Sequence, residues 1–482
     1  MSMSSALNNA LTGLTANARM AEVVSSNLSN VLTDGYGKRT VSLSSVQAGD
    51  MGGGVRVDAI NRFVDAGLLA DRRLADASLS GQDRSASMLM RLQQSLGGPD
   101  DAAAIGGRIA EFERALISAS SDPASETRLA NVVSRLQDVT RTLQNNTKSI
   151  QSLRQEADAA IGRDVAVLNQ ALLQVEQLNS DILRISGGGN DPSALLDARQ
   201  RAVDQIAELV PVREITRENG TIGLMTTNGY TLLDSKAATV SFVRTSTITA
   251  DMTIATGALA GISVDGVPID PVSGIGRLDG GAIGAAFALR DATLVDAQTG
   301  LDSLAADLIA RFQDPVNDPT LANGDLGLLT DEGGILDLSD LSGLAGRISV
   351  NAAVVPAFGG ALSLVRDGLN TAVAGPTGDS QQLIRWIAAL GDSRADVPGS
   401  ASQSVSGRAS SFTSEVGAAR LIADEKLSFT TARWETLREA ELAGGVDTDQ
   451  ELQTLLRVEQ SYAANAKVIQ TVDFMMQRLL EI

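Results

Sequence analysis

Apolar side chains recur at alternating steps of four and three at both ends of this 482-residue chain. At the front, Leu7, Leu11, Leu14, Ala18, Ala21, Ser25, Leu28 and Leu32 mark the stripe within one amphipathic helix over 4–32. At the back, Leu455, Val458, Tyr462, Asn465, Ile469, Val472, Met476 and Leu479 mark it in a helix that opens at Thr448-Asp449-Gln450-Glu451, a capping-box spacing. A seam of this period needs a partner helix along its length, because each apolar knob seats in a hole formed by facing side chains. A chain that starts and ends this way is expected to bring its two ends to one place.

Between the ends the period stays helical for long stretches. Residues 36–57 suggest an irregular or short β segment, and helical spacing returns at about 61–96 and 103–119. Asp122-Pro123 offers a helix start, an N-cap followed by proline at the first helical position. From there to 186, Leu129, Leu136, Leu143, Ile150 and Ala157 repeat every seven residues, and Ile161, Leu168, Val175 and Ile182 continue in a shifted register. With Gly162 at the shift, the stretch reads as two stacked or bent segments.

After a helix over 192–209 the period changes to two. Segments 211–216, 221–227, 230–234, 238–245 and 261–269 carry β-branched residues between turns such as Asn228-Gly229. Helix resumes at 281–313, 335–378 has no clear period, and 380–390 and 403–443 are helical again. The fold class is therefore mainly α with an inserted β-rich domain: paired terminal coiled-coil helices, a helical rod domain and one small outward β domain. The divisions expected are 1–35 and 444–482 for the two halves of the terminal-helix domain, 36–209 and 280–443 for the rod, and 210–279 for the insertion.

Composition narrows the chemistry. The formal net charge is −19, which argues against a phosphate-backbone or anionic-membrane surface. With no cysteine and no histidine, disulfides, Cys/His zinc sites, thiol nucleophiles and Ser-His-Asp triads are excluded. Aromatic residues at 3% are too few for stacking platforms. No catalytic, cofactor or metal residues are assigned. Nor does any stretch reach the ~20 apolar residues of a membrane span, and the N-terminus lacks the basic and apolar regions of a cleavable signal. Any export is expected to use an uncleaved signal.

The N-terminal helix is unusual on its other face. Before Asp34 only Arg19 and Glu22 are charged, and Ser, Asn and Thr, all poor helix formers, fill the rest. A seam this thin, on a helix with so few charges, points to further neighbours, and the ends are expected to order on assembly with other subunits.

The run Ser25-Ser26-Asn27-Leu28-Ser29-Asn30, then Thr33-Asp34-Gly35-Tyr36 and Lys38-Arg39, resembles the N-terminal signature of bacterial flagellar axial proteins. Its family residues here are Asn27, Asn30, Thr33, Gly35 and Tyr36, with Ser26 in place of the usual first Asn. Asn190-Asp191-Pro192 through Leu195-Leu196-Asp197-Ala198-Arg199, followed by Asn219-Gly220 and Asn228-Gly229-Tyr230, is similar to the hook-associated members that form the lower ring of the hook–filament junction. The C-terminal stretch from Gly445-Val446 to Asp473 agrees, with Asp447 where Asn or Ser is common. The chain is short for that family, which suggests one β domain where larger members carry two.

The resemblance implies an extracellular subunit of the flagellum, exported by the type III system and polymerising through its terminal helices. Implied partners are other copies of itself in a ring or tube, the hook protein, a second junction protein or flagellin, and an export chaperone at about 440–482; no nucleic acid and no membrane insertion are implied. The seam residues expected to carry assembly are Leu7, Leu11, Leu14, Leu28 and Leu32, with Leu455, Val458, Tyr462, Ile469, Val472, Met476 and Leu479. Alternatives are the hook or another axial protein, and a secreted enzyme or binding protein with coiled-coil ends. The glycines at 274–281 lack a dinucleotide spacing, and Asp314, Asp318, Asn323, Asp325 and Asp331 miss the EF-hand spacing.

Overall fold

The opening helix, α1 (Met3–Ser29), stops short of the predicted Leu32. Asn30 ends it: its backbone and side-chain nitrogens both donate to the Ser26 carbonyl, at 3.1 and 2.9 Å, and the chain turns through Gly35 at φ 74°. Leu32 therefore sits on that turn, 91% exposed, and is no part of the helical stripe. This computed structural model describes residues 3–48, 51–98, 101–270, 272–395 and 402–480.

The stretch expected to be an irregular or short β segment is a long antiparallel hairpin, β1 (Lys38–Ala48) and β2 (Met51–Phe63), paired from Lys38↔Phe63 inward with register shifts after Ser42 and after Ser45. Its strands alternate serine with a few aliphatics, too weak a pattern to declare its length. Helices α2 (Ala66–Leu96) and α3 (Ile105–Ser121) follow. Asp122 closes α3, and the cap of the next helix is Ser125, whose side chain accepts from the Arg128 N–H. The Asp122-Pro123 start is thus corrected by three residues, because Ser125 supplies the same capping oxygen nearer the first periodic residue.

Helix α4 (Glu126–Gly187) is a single helix of 62 residues, roughly 93 Å long at 1.5 Å per residue. The expected break at Gly162 does not occur. There the Arg244 side chain lies across the helix, and a Cβ would come within 2.6 Å of its Cδ. The register shift records a change of partners. Leu129, Leu136, Leu143, Ile150 and Ala157 belong to one core, and Ile161, Leu168 and Val175 to another.

The second core also takes α5 (Ser193–Leu209) and two small antiparallel sheets. One is β3 (Val212–Thr216), β4 (Ile222–Thr226) and β5 (Thr231–Leu233); the other is β6 (Val240–Ser241), β7 (Ser263–Val264) and β8 (Val267–Pro268). It is closed by α6 (Gly281–Ala288), where glycine lets helices meet: a Cβ on Gly81 of α2 would lie 2.9 Å from the Gly281 carbonyl oxygen. A π-helical turn at Leu289–Thr293 leads into α7 (Leu294–Gln313).

That turn carries Arg290, which is fully buried and pairs at 2.6 Å with the equally buried Asp158 of α4. Its guanidinium lies 4.7 Å from the Phe287 ring centre, and the other Asp158 oxygen accepts from the Thr245 N–H at 2.8 Å. A buried polar clasp therefore marks where one core gives way to the other.

The first core packs α3, α7 and the first half of α4 with the remaining short elements: β9 (Leu329–Asp331), α8 (Leu344–Arg347), β10 (Ile348–Val350), α9 (Ser363–Asp367) and α10 (Gln381–Gly391). Trp386 fills its centre with its ring 5.1 Å from that of Phe312. Then α11 (Val405–Ala443) runs along α2, and α12 (Thr448–Leu480) returns to pack against α1.

Candidate assembly surface and its joint to the rod

The cap of α12 is Asp447, whose side chain accepts from the Asp449 and Gln450 N–H groups at 2.9 and 3.1 Å. The Thr448-to-Glu451 capping box does not form. An aspartate one residue earlier reaches the same orphan amides, and this frees Glu451 to turn inward. Glu451 is 5% exposed and pairs with Lys38 at 3.5 Å.

Along the shaft, α1 and α12 meet through small and polar groups. Asn17 donates to the Ser461 hydroxyl at 3.0 Å, and Gly13 lies so close to Asn465 that a Cβ would be 2.8 Å from its amide nitrogen. On another face of α1, Thr12 accepts from the Val55 N–H of β2 at 3.3 Å. The hairpin and α12 thus share α1 between them.

The predicted seam residues divide accordingly. Val458 and Val472 are buried; Leu7, Leu14, Leu28, Leu455 and Ile469 are half-buried. Leu11, Tyr462, Met476 and Leu479 are 57, 49, 45 and 58% exposed, and Phe474, Met475 and Leu480 are exposed beside them. So many large apolar side chains exposed along one helix pair mark it as a candidate interaction surface.

At the base of the pair, the signature residues form one hydrogen-bonded joint. Asn27, 1% exposed, takes both backbone groups of Arg39: its amide donates to the carbonyl at 2.8 Å and its oxygen accepts the N–H at 3.0 Å. The same oxygen accepts the Tyr36 hydroxyl at 2.9 Å, and Ser26 lies 3.2 Å from that hydroxyl. Burial pushes the Tyr36 phenol above its ordinary value, against the Ser26 contact that pulls it down. Thr33 donates to Asn30 at 3.3 Å, and Gly35 supplies the left-handed corner. The turn is therefore built with Ser26 in the place of an asparagine.

Asp197 stands within a family-like motif, and its spacing in the sequence suggests no role for it. The structure places it, 4% exposed on α5, against the whole joint: it accepts from Gly37 N at 3.0 Å and from Arg39 and Arg62 at 2.7 Å each. A second joint lies beside it, where Arg72 of α2 pairs with Asp76, Asp204 and Glu441 at 2.6, 2.7 and 2.8 Å. Trp434 of α11 donates to Asp76, and Arg438 pairs with Asp34 of the signature turn. A lone acid on a helix face carries no periodic signal, so neither joint was legible.

The glycines at 274–281 and the acids of the 314–331 loop have structural partners. Gly280 and Gly281 take positive φ and pack against Pro211 and the Leu209 carbonyl. Asp318 accepts from the Thr320 and Leu369 N–H groups, Asp325 from Ala322 N and Asn370, and Asp314 and Asp331 pair with Arg394 and Arg347. Among the described residues no group of acids is arranged to hold a metal ion, and no helix is long and apolar enough to cross a membrane.

Two family models match the chain. The model of the C-terminal region of the flagellar basal body rod FlgEFG proteins covers 443–482, and that of the flagellar hook-associated protein FlgK helical domain covers 89–328. Among curated proteins, flagellar hook-associated protein 1 of Salmonella typhimurium is 28% identical over 49% of this chain and 44% of its own length. That of Escherichia coli is 25% identical over 67% of this chain and 59% of its own. A solved structure, the flagellar hook junction protein FlgK from Burkholderia pseudomallei, overlaps 54% of this chain and 46% of that one, with 21% identity and a TM-score of 0.46.

The C-terminal match, over 443–482, is to the rod-and-hook class of flagellar proteins. The helical-domain match over 89–328 and the curated relatives narrow the class, and both support a likeness to flagellar hook-associated protein 1. The chain spans about half the length of the curated relatives it matches.

Proposed function

We propose that the chain is a structural subunit joining hook to filament in the bacterial flagellum, polymerising through α1 and α12. The observation that carries this is the state of the α12 seam: Val458 and Val472 are covered by the chain's own structure, whereas Tyr462, Met476 and Leu479 are not. The covered residues make the pair, and the open ones are what neighbouring subunits would bury. Leu11 on α1 is likewise exposed.

In this reading the terminal pair lines a central tube with its sparsely charged N-terminal helix, the α4 rod forms the next shell, and residues 210–279 point outward. The hook protein lies below, and a second junction protein or flagellin above. The type III system exports the subunit, and a chaperone shields about 440–482 until then. Its work is mechanical, with no catalytic residues.

Electron microscopy of cells lacking the gene, with flagellin assayed in the medium, tests the reading. Finished hooks without filaments and flagellin lost to the medium are expected. Missing hooks would move the protein to the hook or rod, and unaltered flagella would remove it from the axial structure.

A further inference from the structure

The terminal pair leaves the rod through short connections. α1 is followed by the turn at 30–37, and α11 is joined to α12 by 444–447. Left to themselves, such turns would let the pair swing about its base. Besides the pair of Arg438 with Asp34 on the turn, what prevents this is concentrated on one face of α5. Asp197 collects donors from three separate places: the Gly37 N–H on the turn, Arg39 on β1 and Arg62 on β2. Gln200, one helical turn on, accepts the far side of Arg62 at 2.5 Å, and Arg201 packs so tightly on the Gly35 corner that a Cβ there would lie 2.7 Å from its Cγ.

The other half of the path runs through two consecutive residues. The backbone of Arg39 is gripped by Asn27 of α1 while its side chain reaches Asp197 of α5. Lys38 beside it reaches Gln450 and the buried Glu451 at the start of α12. Three helices are therefore tied through one dipeptide, and the buried anion that holds it on the rod side is Asp197. A buried carboxylate with two guanidinium donors and an N–H is strongly directional, since both oxygens are committed to fixed donor positions. An asparagine of the same shape would turn an NH₂ group toward a guanidinium or an N–H and could not satisfy all three.

We infer that Asp197 is the positioning residue that sets the angle between the terminal-helix pair and the rod. The inference rests on the reading of that pair as the assembly surface: a ring of subunits closes only if each presents its terminal helices at one angle. The asparagine, tyrosine and glycine of the N-terminal turn then shape the turn so that Gly37, Arg39 and Arg62 converge on this carboxylate.

The chain has no cysteine, so a pair of introduced ones takes spin labels at unique places. With Gln470→Cys on α12 and Gln170→Cys on α4, both exposed, the full-length free subunit is expected to give one narrow distance distribution. Asp197→Asn should broaden it to about twice its width while the main thermal transition of the rod stays in place. Arg39→Met with Arg62→Met should do the same, and adding Asp197→Asn to that pair should broaden it no further. If Asp197→Asn fails to fold, the double arginine variant decides the question with the same labels. An unchanged narrow distribution, or a loss of the rod transition together with the broadening in the arginine variant, would overturn the inference. Because the free subunit is measured, the result is independent of whether deletion cells lose their filaments.

Discussion

The long rod helix α4 and the terminal helix α12 carry the same kind of pattern and meet different fates. Every heptad position of α4 from Leu129 to Ile182 is nearly closed to solvent, at 2% exposure or less. Along the 33 residues of α12 only Glu451, Val458 and Val472 are buried. A seam states that a face is to be covered and leaves open by what. For α4 the cover is the chain's own two cores. For α12 it is α1 on one side, with an apolar face left open on the rest.

The sharpest way to break this contrast is to strike the clasp between the two cores. Arg290→Met leaves Asp158 buried without its partner and should cost about 3–5 kcal/mol in urea unfolding. Leu168→Ala, in the second core, should cost about 2–5 kcal/mol by lost burial and a residual cavity. Gly13→Leu should act only on the shaft, forcing α1 away from Asn465 at a cost of about 1–3 kcal/mol, read as faster exchange in α1 and α12 with the rod transition unmoved. Tyr462→Ala should leave the free subunit within about 0.5 kcal/mol of wild type and yet impair filament formation. Were Tyr462→Ala to destabilise the free subunit as much as Leu168→Ala, the open face of α12 would be a closed core after all.

The joint between α2 and α11 should respond to pH. Burial holds the Asp76 carboxyl above its ordinary value, against Arg72 and the Trp434 N–H, which pull it down. A carboxyl raised on folding contributes its full stability below its unfolded value of about 3.9 and loses that contribution as pH rises through the raised one. The α2–α11 contact should therefore tighten on acidification from neutral, and the fluorescence of half-buried Trp434 should follow it. Asp76→Asn should flatten that titration; a titration that persists unchanged would assign the response to another group.

The helices of the rod were legible because their period is long and strict, and the β insertion because turn residues and β-branched residues alternate there. The continuity of α4 was not. Gly162 and the register shift imitate a break, and only the third dimension shows that one helix changes partners and that the glycine makes room for Arg244. The hairpin over Lys38–Phe63 was hidden by its serines and glycines, which pair through the backbone and say little through side chains. At the site, the seam and signature residues were visible as patterns. Asp197, Arg62 and Arg72 were not, since ion pairs between distant segments leave no spacing to read.

Hydrogen exchange, followed on the free subunit and on the same subunit in isolated hook–filament complexes, separates the two regions most cleanly. Residues 129–182 of α4 should be strongly protected in both. Residues 452–480 of α12 should exchange faster than α4 in the free subunit and become strongly protected in the complex. If α12 is as protected as α4 in the free subunit and gains nothing in the complex, its apolar face is not where subunits join.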